Sequence, residues 1–452
     1  MVASKLAAGR RGHGGVSLEM GRSRLPARTK RWNWPLSWTS FSQDQGNAPT
    51  ACAKGGVGLL ASLSEVGKRK FRLVYLLMTL FWIPGVFLII IILWDAFEVM
   101  LLPVPVRRRG RVVLIFFRLT WKLWSGLAGL LPEGERRERL LGIYGPLSLV
   151  VLILTWVVGL ISGFGLIDAS VRGGNAIIPS LFQSLYFSGV TFFTLGYGDV
   201  IPLSSAMKMT AVVEAGSGLG FLALVIGYLP VLYQLFARRE AHVILLDERA
   251  GSPPTATTLL RRHAEGRSLD ALEELLREWE LWSAELLESH MSYPMLSYYR
   301  SQFPNQSWLA ALASIMDSCA LIMVGIEGMR TFQARMSFSV ARLAIAELSR
   351  ILGVEQVALG NSRLTTGDFA RMKNRLEEFG LQFVEADAEL RLAQFRATYE
   401  PFLGGLAKYL MISLPGLIGA EEQLDNWENN TRGAMAKKLV EAAAVEPGTD
   451  EH

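Results

Sequence analysis

The stretch TFFTLGYGDV, Thr191–Val200, lies between two long apolar runs, and the rest of the chain is read from it. Its residues Thr194-Leu195-Gly196-Tyr197-Gly198-Asp199 put two glycines, an aromatic ring and an acid where polar backbone is costly. Inside a hydrocarbon layer, irregular backbone survives only where it lines water or is packed in protein. The segment before it, PSLFQSLYFSGVTFF (Pro179–Phe193), suits a helix of three to four turns over 180–193, with Pro179 as its first residue. Such a helix is too short to span, so the chain dips into the membrane and returns.

The six residues make physical sense in that setting. Gly196 and Gly198 reach backbone angles closed to other residues. With alternating dihedrals, successive carbonyls turn to one side, and four copies around an axis stack rings of oxygens that replace an ion's hydration shell. Thr194 adds a hydroxyl ring at the inner end, and Asp199 at the outer end favours arriving cations. Tyr197 is expected to wedge against Tyr186 and Phe187 of the short helix.

The surrounding composition agrees. Half of the 452 residues are hydrophobic, and runs at 73–102, 142–167 and 207–236 each meet the length needed to cross a bilayer, about 20 residues. Residues 1–239 hold 26 Lys+Arg against 11 Asp+Glu, and residues 240–452 hold 20 against 30. A basic membrane half suits anionic lipid headgroups, while no basic stripe interleaved with aromatics points to nucleic acid. Cys52 and Cys319 are too isolated for a disulfide framework, and the five histidines lack metal-ligand spacing. No Ser/His/Asp or Cys/His arrangement suggests an enzyme.

Basic residues flank the start of the second run and the end of the third (Ala237-Arg238-Arg239-Glu240), which places both ends in the cytoplasm and Thr191–Val200 at the outer side. The first run has Lys68, Arg69, Lys70 and Arg72 before it and Arg107, Arg108, Arg109 and Arg111 after it, a tie under the same rule. A kink is expected at Pro84-Gly85. The stretch Arg111–Leu131 follows, with Arg111, Arg118 and Lys122 on one helical face and Phe116, Phe117, Trp121 and Trp124 nearby. It reads as a helix on the membrane surface. The N-terminus then lies outside, or inside if this helix crosses. A voltage-sensing helix would need arginine at every third position through the span, and that pattern is missing.

The motif resembles the selectivity filter of potassium channels, usually T-V-G-Y-G-D, and LYFSGVTFFTLGYGDVIP is similar to the group with two spans around one pore loop. The resemblance covers roughly Gly142–Phe236. It implies a homotetramer in the plasma membrane, with K⁺ as permeant ion on the backbone carbonyls of Thr194, Leu195, Gly196 and Tyr197 and no other cofactor. It also implies filter support from Tyr186, Phe187, Val190 and Phe193. Leu195 replaces the common Val, Phe193 stands where a second Thr is frequent, and Val190 leaves no acid on the pore helix behind the filter.

The third run would then be the inner helix. Its Gly216-x-Gly218-x-Gly220 is no dinucleotide loop, because no strand precedes it. Gly218 is nearest the mid-helix glycine that hinges related channels, with close helix packing as the alternative reading. Pro230 is a second gate candidate, since it removes a helix hydrogen bond. Glu214 is an intramembrane acid. Four of them could ring a cavity, or the carboxylate could bond behind the filter or pair with Lys208.

Beyond the membrane, amphipathic helices are expected over Ser268–His290, with Ser268 as N-cap, and at 307–328, 334–352, 367–379 and 383–397. Trp308–Ile326 is apolar enough to be mistaken for a span, but central Asp317 and amphipathic neighbours favour a buried bundle helix. No nucleotide-binding loop or cyclic-nucleotide barrel is evident, so a cytoplasmic ligand is not readable. The expectation is an all-α membrane protein. It combines a pore-loop channel module with an additional N-terminal span, an interfacial amphipathic helix and a C-terminal helical cytoplasmic domain. The divisions are a disordered basic tail (1–70), the first span plus surface helix (71–131), the pore module (132–240; filter 194–199) and the cytoplasmic domain (241–452). A non-conducting sensor or scaffold and a weakly selective cation channel are the rival readings.

Overall fold

Residues 80–101, 112–172, 177–266, 268–303, 305–358, 363–384 and 387–419 are described by a computed structural model. The tail at 1–70, Cys52 and the arginines at 107–111 lie outside the described residues. The chain is an all-α membrane protein with a channel module. Among the described residues the one β-type pairing is an isolated antiparallel bridge between Ile326 and Phe383.

The membrane part has α1 (Trp82–Met100), α2 (Val112–Ala128), α3 (Glu135–Arg172), α4 (Ile177–Phe192) and α5 (Ser205–Ala250). Pro84 is the third residue of α1, in the first turn, where backbone N–H groups lack helical partners and a proline breaks no bond. α1 lies against α3 through glycines on both helices. A Cβ on Gly85 would sit 2.7 Å from the Gly163 carbonyl oxygen, and one on Gly159 would sit 2.0 Å from Ile92 Cδ1. Gly159-x-x-x-Gly163 is the small-residue spacing that lets membrane helices approach closely. Across this seam the buried Asp95 accepts a 2.8 Å bond from Trp156 Nε1.

The third and fifth helices run past their hydropathic limits. α3 begins in the charged stretch at Glu135, and α5 continues fourteen residues beyond Phe236, about 21 Å of helix. The end expected at Phe236 is therefore corrected: Gly251, at φ +83°, is the C-cap. The 240/241 division falls inside α5, and all described residues belong to one compact unit.

The orientation of α2 also differs from expectation. Ile115, Leu119, Leu123 and Leu127, at i, i+4 spacing, form its exposed apolar stripe. Phe117 and Trp121 instead turn inward and are 2% exposed. Phe117 stacks on Tyr298, and Trp121 donates through Nε1 to the Tyr409 carbonyl at 2.9 Å. Arg118 donates to the carbonyl of Ile351 at 3.2 Å.

The remaining helices are α6 (Ala256–Glu265), α7 (Leu269–Ser292), α8 (Trp308–Gly325), α9 (Thr331–Leu352), α10 (Thr366–Glu378), α11 (Ala388–Ala397) and α12 (Glu400–Leu410), with a 3-10 turn at Pro294–Tyr298. They wrap α8, whose residues from Trp308 to Ile322 are all buried. Asp317 there meets Arg363 at 2.6 Å and accepts a bond from Tyr399 Oη. Ser307 caps α8 by accepting from the Ala310 amide, whereas Ser268 makes no side-chain cap on α7.

Candidate ion-conduction site

The stretch Thr194–Asp199 is positioned by three helices. α4 rests on α3 where Ser188 Oγ donates to the Ile161 carbonyl at 2.7 Å and where a Cβ on Gly165 would lie 2.8 Å from Leu185 Cδ2. It starts at Ile177, so Pro179 is its third residue, and it ends at Phe192. The chain leaves this helix tightly held. The Thr194 amide donates to Thr191 O at 3.0 Å, and the Leu195 amide donates to Val190 O at 2.9 Å.

From there the backbone alternates. Thr194, Gly196 and Gly198 have φ of +55°, +60° and +78°, while Leu195 and Tyr197 between them are not left-handed. Left-handed backbone at every second residue turns peptide planes that would otherwise alternate, so consecutive carbonyls can share a side. Two of these positions are glycine. Thr194 is the residue on which the left-handed conformation imposes strain.

All six residues Thr194–Asp199 are exposed in the single chain. Tyr197 is 68% exposed, so the expected wedge against Tyr186 and Phe187 does not cover it within one chain. Tyr186 reaches the acid instead, donating from Oη to Asp199 Oδ2 at 2.8 Å. Asp199 Oδ1 accepts from the Val200 amide at 3.0 Å. Phe187 and Val190 are buried, whereas Phe193 is 58% exposed and edge-on to the buried Phe192.

α5 touches α4 directly. A Cβ on Gly218 would lie 2.2 Å from Phe192 O, while Gly216 and Gly220 meet nothing within 4 Å. Close approach to α4 is thus the use the fold makes of Gly218. Pro230 sits exposed inside the continuous helix α5. Glu214 is 2% exposed and bonds with Ser188. Its carboxyl faces the back of the pore helix and not the open side of α5, which is the second of the three arrangements raised for it. Lys208 is exposed, and among the described residues no ion pair joins the two.

The C-terminal foot of α5 carries residues that hydropathy did not single out. Arg239 and Glu240 are both buried and paired at 2.8 Å. Arg239 also donates to the carbonyls of Leu296 and Tyr299, each at 2.8 Å. Its guanidinium lies over the ring of Phe236 at 5.3 Å. His290 donates from Nδ1 to Leu286 O at 2.8 Å, which leaves Nε2 as an acceptor facing Arg239 Nη1 at 3.4 Å. Burial, with Arg239 second, pushes the His290 pKa down to about 3, so the ring is neutral.

The segment Pro294–Arg300 that receives Arg239 also touches the other helices. Tyr298 meets Trp121 and Tyr144, and its Oη lies 2.9 Å from Tyr409 Oη. Arg300 donates to Leu410 O and pairs with Glu138 at 3.5 Å. One short segment therefore joins the feet of α3 and α5 to α2 and α12. The only hint in the sequence is an aromatic-rich SYPMLSYYR (Ser292–Arg300) that directly follows a helix end.

Residues 147–234 match the sequence model of a family described as "Ion channel". The chain is 26% identical over 211 residues to the uncharacterized membrane protein YdjJ of Bacillus subtilis (strain 168), covering 45% of this chain and 60% of that protein. It is 37% identical over 68 residues to two-pore potassium channel 4 of Arabidopsis thaliana, covering 15% of this chain and 20% of that channel. In both cases it spans less than two thirds of the relative's length. No solved structure matches the chain.

Proposed function

We propose that the protein is a potassium-selective channel, conducting K⁺ passively across the plasma membrane through a pore built from four copies of the chain. The observation that carries this reading is the alternation at Thr194, Gly196 and Gly198, with φ of +55°, +60° and +78°, in a hairpin that one chain leaves wholly exposed. Four such hairpins facing one axis would present the carbonyls of Thr194, Leu195, Gly196 and Tyr197 to an ion losing its water. Asp199, held by Tyr186, would set the charge of the outer mouth. Exposed Val212, Val213, Leu219, Leu222 and Ile226 on α5 supply apolar surface for neighbouring copies.

In this reading the α1–α3 seam anchors the outer helix, and α4 aims the filter. The C-terminal helices lie in the cytoplasm and grip the foot of α5 through Arg239. A movement of that domain would bear on the inner helix, with Pro230 as the position where α5 could bend. Similarity to a protein named as a two-pore potassium channel supports K⁺ as the ion.

The test is thallium flux into vesicles containing purified protein, with native mass measurement of its oligomer. Four chains and a flux abolished by Gly198→Ala are expected, because alanine resists the left-handed angle at 198. A folded tetramer without flux would favour the scaffold reading. Flux that survives Gly198→Ala would overturn the filter assignment.

A further inference from the structure

The back of the pore helix holds a hydrogen-bond arrangement that can be solved by counting protons. Ser188 is completely buried, and its Oγ lies 2.7 Å from the carbonyl oxygen of Ile161 on α3. The same Oγ bonds with Oε1 of Glu214 on α5. A hydroxyl carries one hydrogen and a backbone carbonyl can only accept. The Ile161 carbonyl already accepts the helical amide of Gly165, so the count turns on the two close oxygen contacts of Ser188 Oγ. If Glu214 were a carboxylate, one hydrogen would have to serve both, and the other contact would press two acceptor oxygens together away from water.

The surroundings do not help a charge. Glu214 is 2% exposed, and among the described residues no ion pair supplies it with a cation. The titratable group facing it from another helix is Asp168 on α3, also buried and of the same sign. An uncompensated carboxylate here would be expensive.

We propose that Glu214 is a neutral carboxylic acid acting as a positioning residue for the filter, donating its proton to Ser188 Oγ, which in turn donates to Ile161 O. The chain Glu214 → Ser188 → Ile161 joins α5, α4 and α3 in one direction with every donor used once. One turn further along both α5 and α4, Gly218 meets Phe192 O. The two helices are therefore fixed at matched points, 214 with 188 and 218 with 192, four residues apart on each. The filter begins two residues after Phe192, so a slip of α4 would pass directly to Thr194 and Leu195. Val190 leaves the pore helix itself without an acid, and Glu214 supplies one from the inner helix.

The consequence for conduction rests on the pore reading, but the protonation does not, and the test separates them. Infrared spectra of the purified full-length protein at neutral pH should contain a buried carboxylic-acid C=O band that disappears in Glu214→Gln and persists in Asp168→Asn. In thallium-flux assays Glu214→Gln, which keeps an N–H donor for Ser188, should retain near wild-type flux. Glu214→Ala and Ser188→Ala, with the tetramer intact, should lower sustained flux about tenfold, the effect of losing one buried hydrogen bond. If no protein conducts, the pore reading fails while the infrared band still decides the protonation. Absence of the Glu214-dependent band, or Gln as damaging as Ala, would overturn the proposal.

Discussion

α1 and α8 are close in length, strongly apolar, begin with tryptophan and carry a buried aspartate, yet they sit in different surroundings. Within α1, 28% of the apolar window is covered by protein, against 89% within α8. Phe87, Ile90, Leu93 and Trp94 stay exposed on α1, an apolar surface that the fold of one chain leaves uncovered. The α8 run is wrapped by other helices and needs no bilayer. Side-chain size explains the difference. α1 is bulky on nearly every side, whereas α8 has Ala310, Ala311, Ala313, Ser314, Ser318, Cys319 and Ala320, small residues that admit neighbours all round. Apolarity sets the cost of exposure to water, and the distribution of small residues decides what covers the helix.

The two aspartates give the sharpest test of that contrast. Asp317 neutralises Arg363, whose side chain is 6% exposed, so Asp317→Ala strips that buried cation of its close partner, leaves it only Glu400 at 3.8 Å and should cost up to about 3–5 kcal/mol in denaturant unfolding of the full chain. A loss under about 1 kcal/mol would mean that α8 is not enclosed as described. Next in size is the α1–α3 seam. Gly163→Leu would drive side-chain atoms into Ile89, whose Cγ1 lies 2.6 Å from the Cβ position. Overpacking there should cost about 1–3 kcal/mol, read as a lower melting temperature and lost cysteine cross-linking between α1 and α3. Cross-linking unchanged in the variant would break the close-approach account.

Acid should discriminate the dry foot of α8, where His290 lies 5.5 Å from Trp308. The folded His290 pKa is about 3, and an unfolded histidine titrates near 6.5. Between these values the unfolded chain takes up a proton that the folded chain refuses, so this contribution is complete above about pH 6.5 and is lost as pH falls. By pH 5.5 the loss should reach about 1.4 kcal/mol, and His290→Gln should flatten that slope in pH-dependent unfolding. Smallest is Asp95→Asn, since the amide oxygen still accepts from Trp156. Its expected cost is about 0.6 kcal/mol, the average for such bonds between membrane helices, measured by thermal unfolding in detergent. A value matching Asp317→Ala would erase the distinction between the two helices.

Much of this arrangement is legible in the sequence. The glycine spacing in TLGYGD requires unusual backbone, and the short helix before it is too brief to span. Asp317 marked the α8 run as protein core. Other features were hidden for identifiable reasons. Hydropathy falls at Arg238-Arg239-Glu240, so the span reads as ending there while the helix continues to Ala250. Arg239 and Glu240 look like a solvated helix end, and only the fold brings Leu296, Tyr299 and His290 around them. Phe117 and Trp121 look like interfacial aromatics, but which side of α2 meets protein depends on Tyr298 and Tyr409, far along the chain. Ser188 is an unremarkable serine until Ile161 and Glu214 are placed on either side of it.

The central claim is that four TLGYGD hairpins select K⁺. Its most direct test is the reversal potential of the purified wild-type protein in a planar bilayer, with K⁺ on one side and Na⁺ on the other. A reversal potential displaced strongly toward the K⁺ equilibrium value is predicted, with the displacement following the K⁺ gradient as it is varied. A current that reverses near zero whatever the gradient would contradict it.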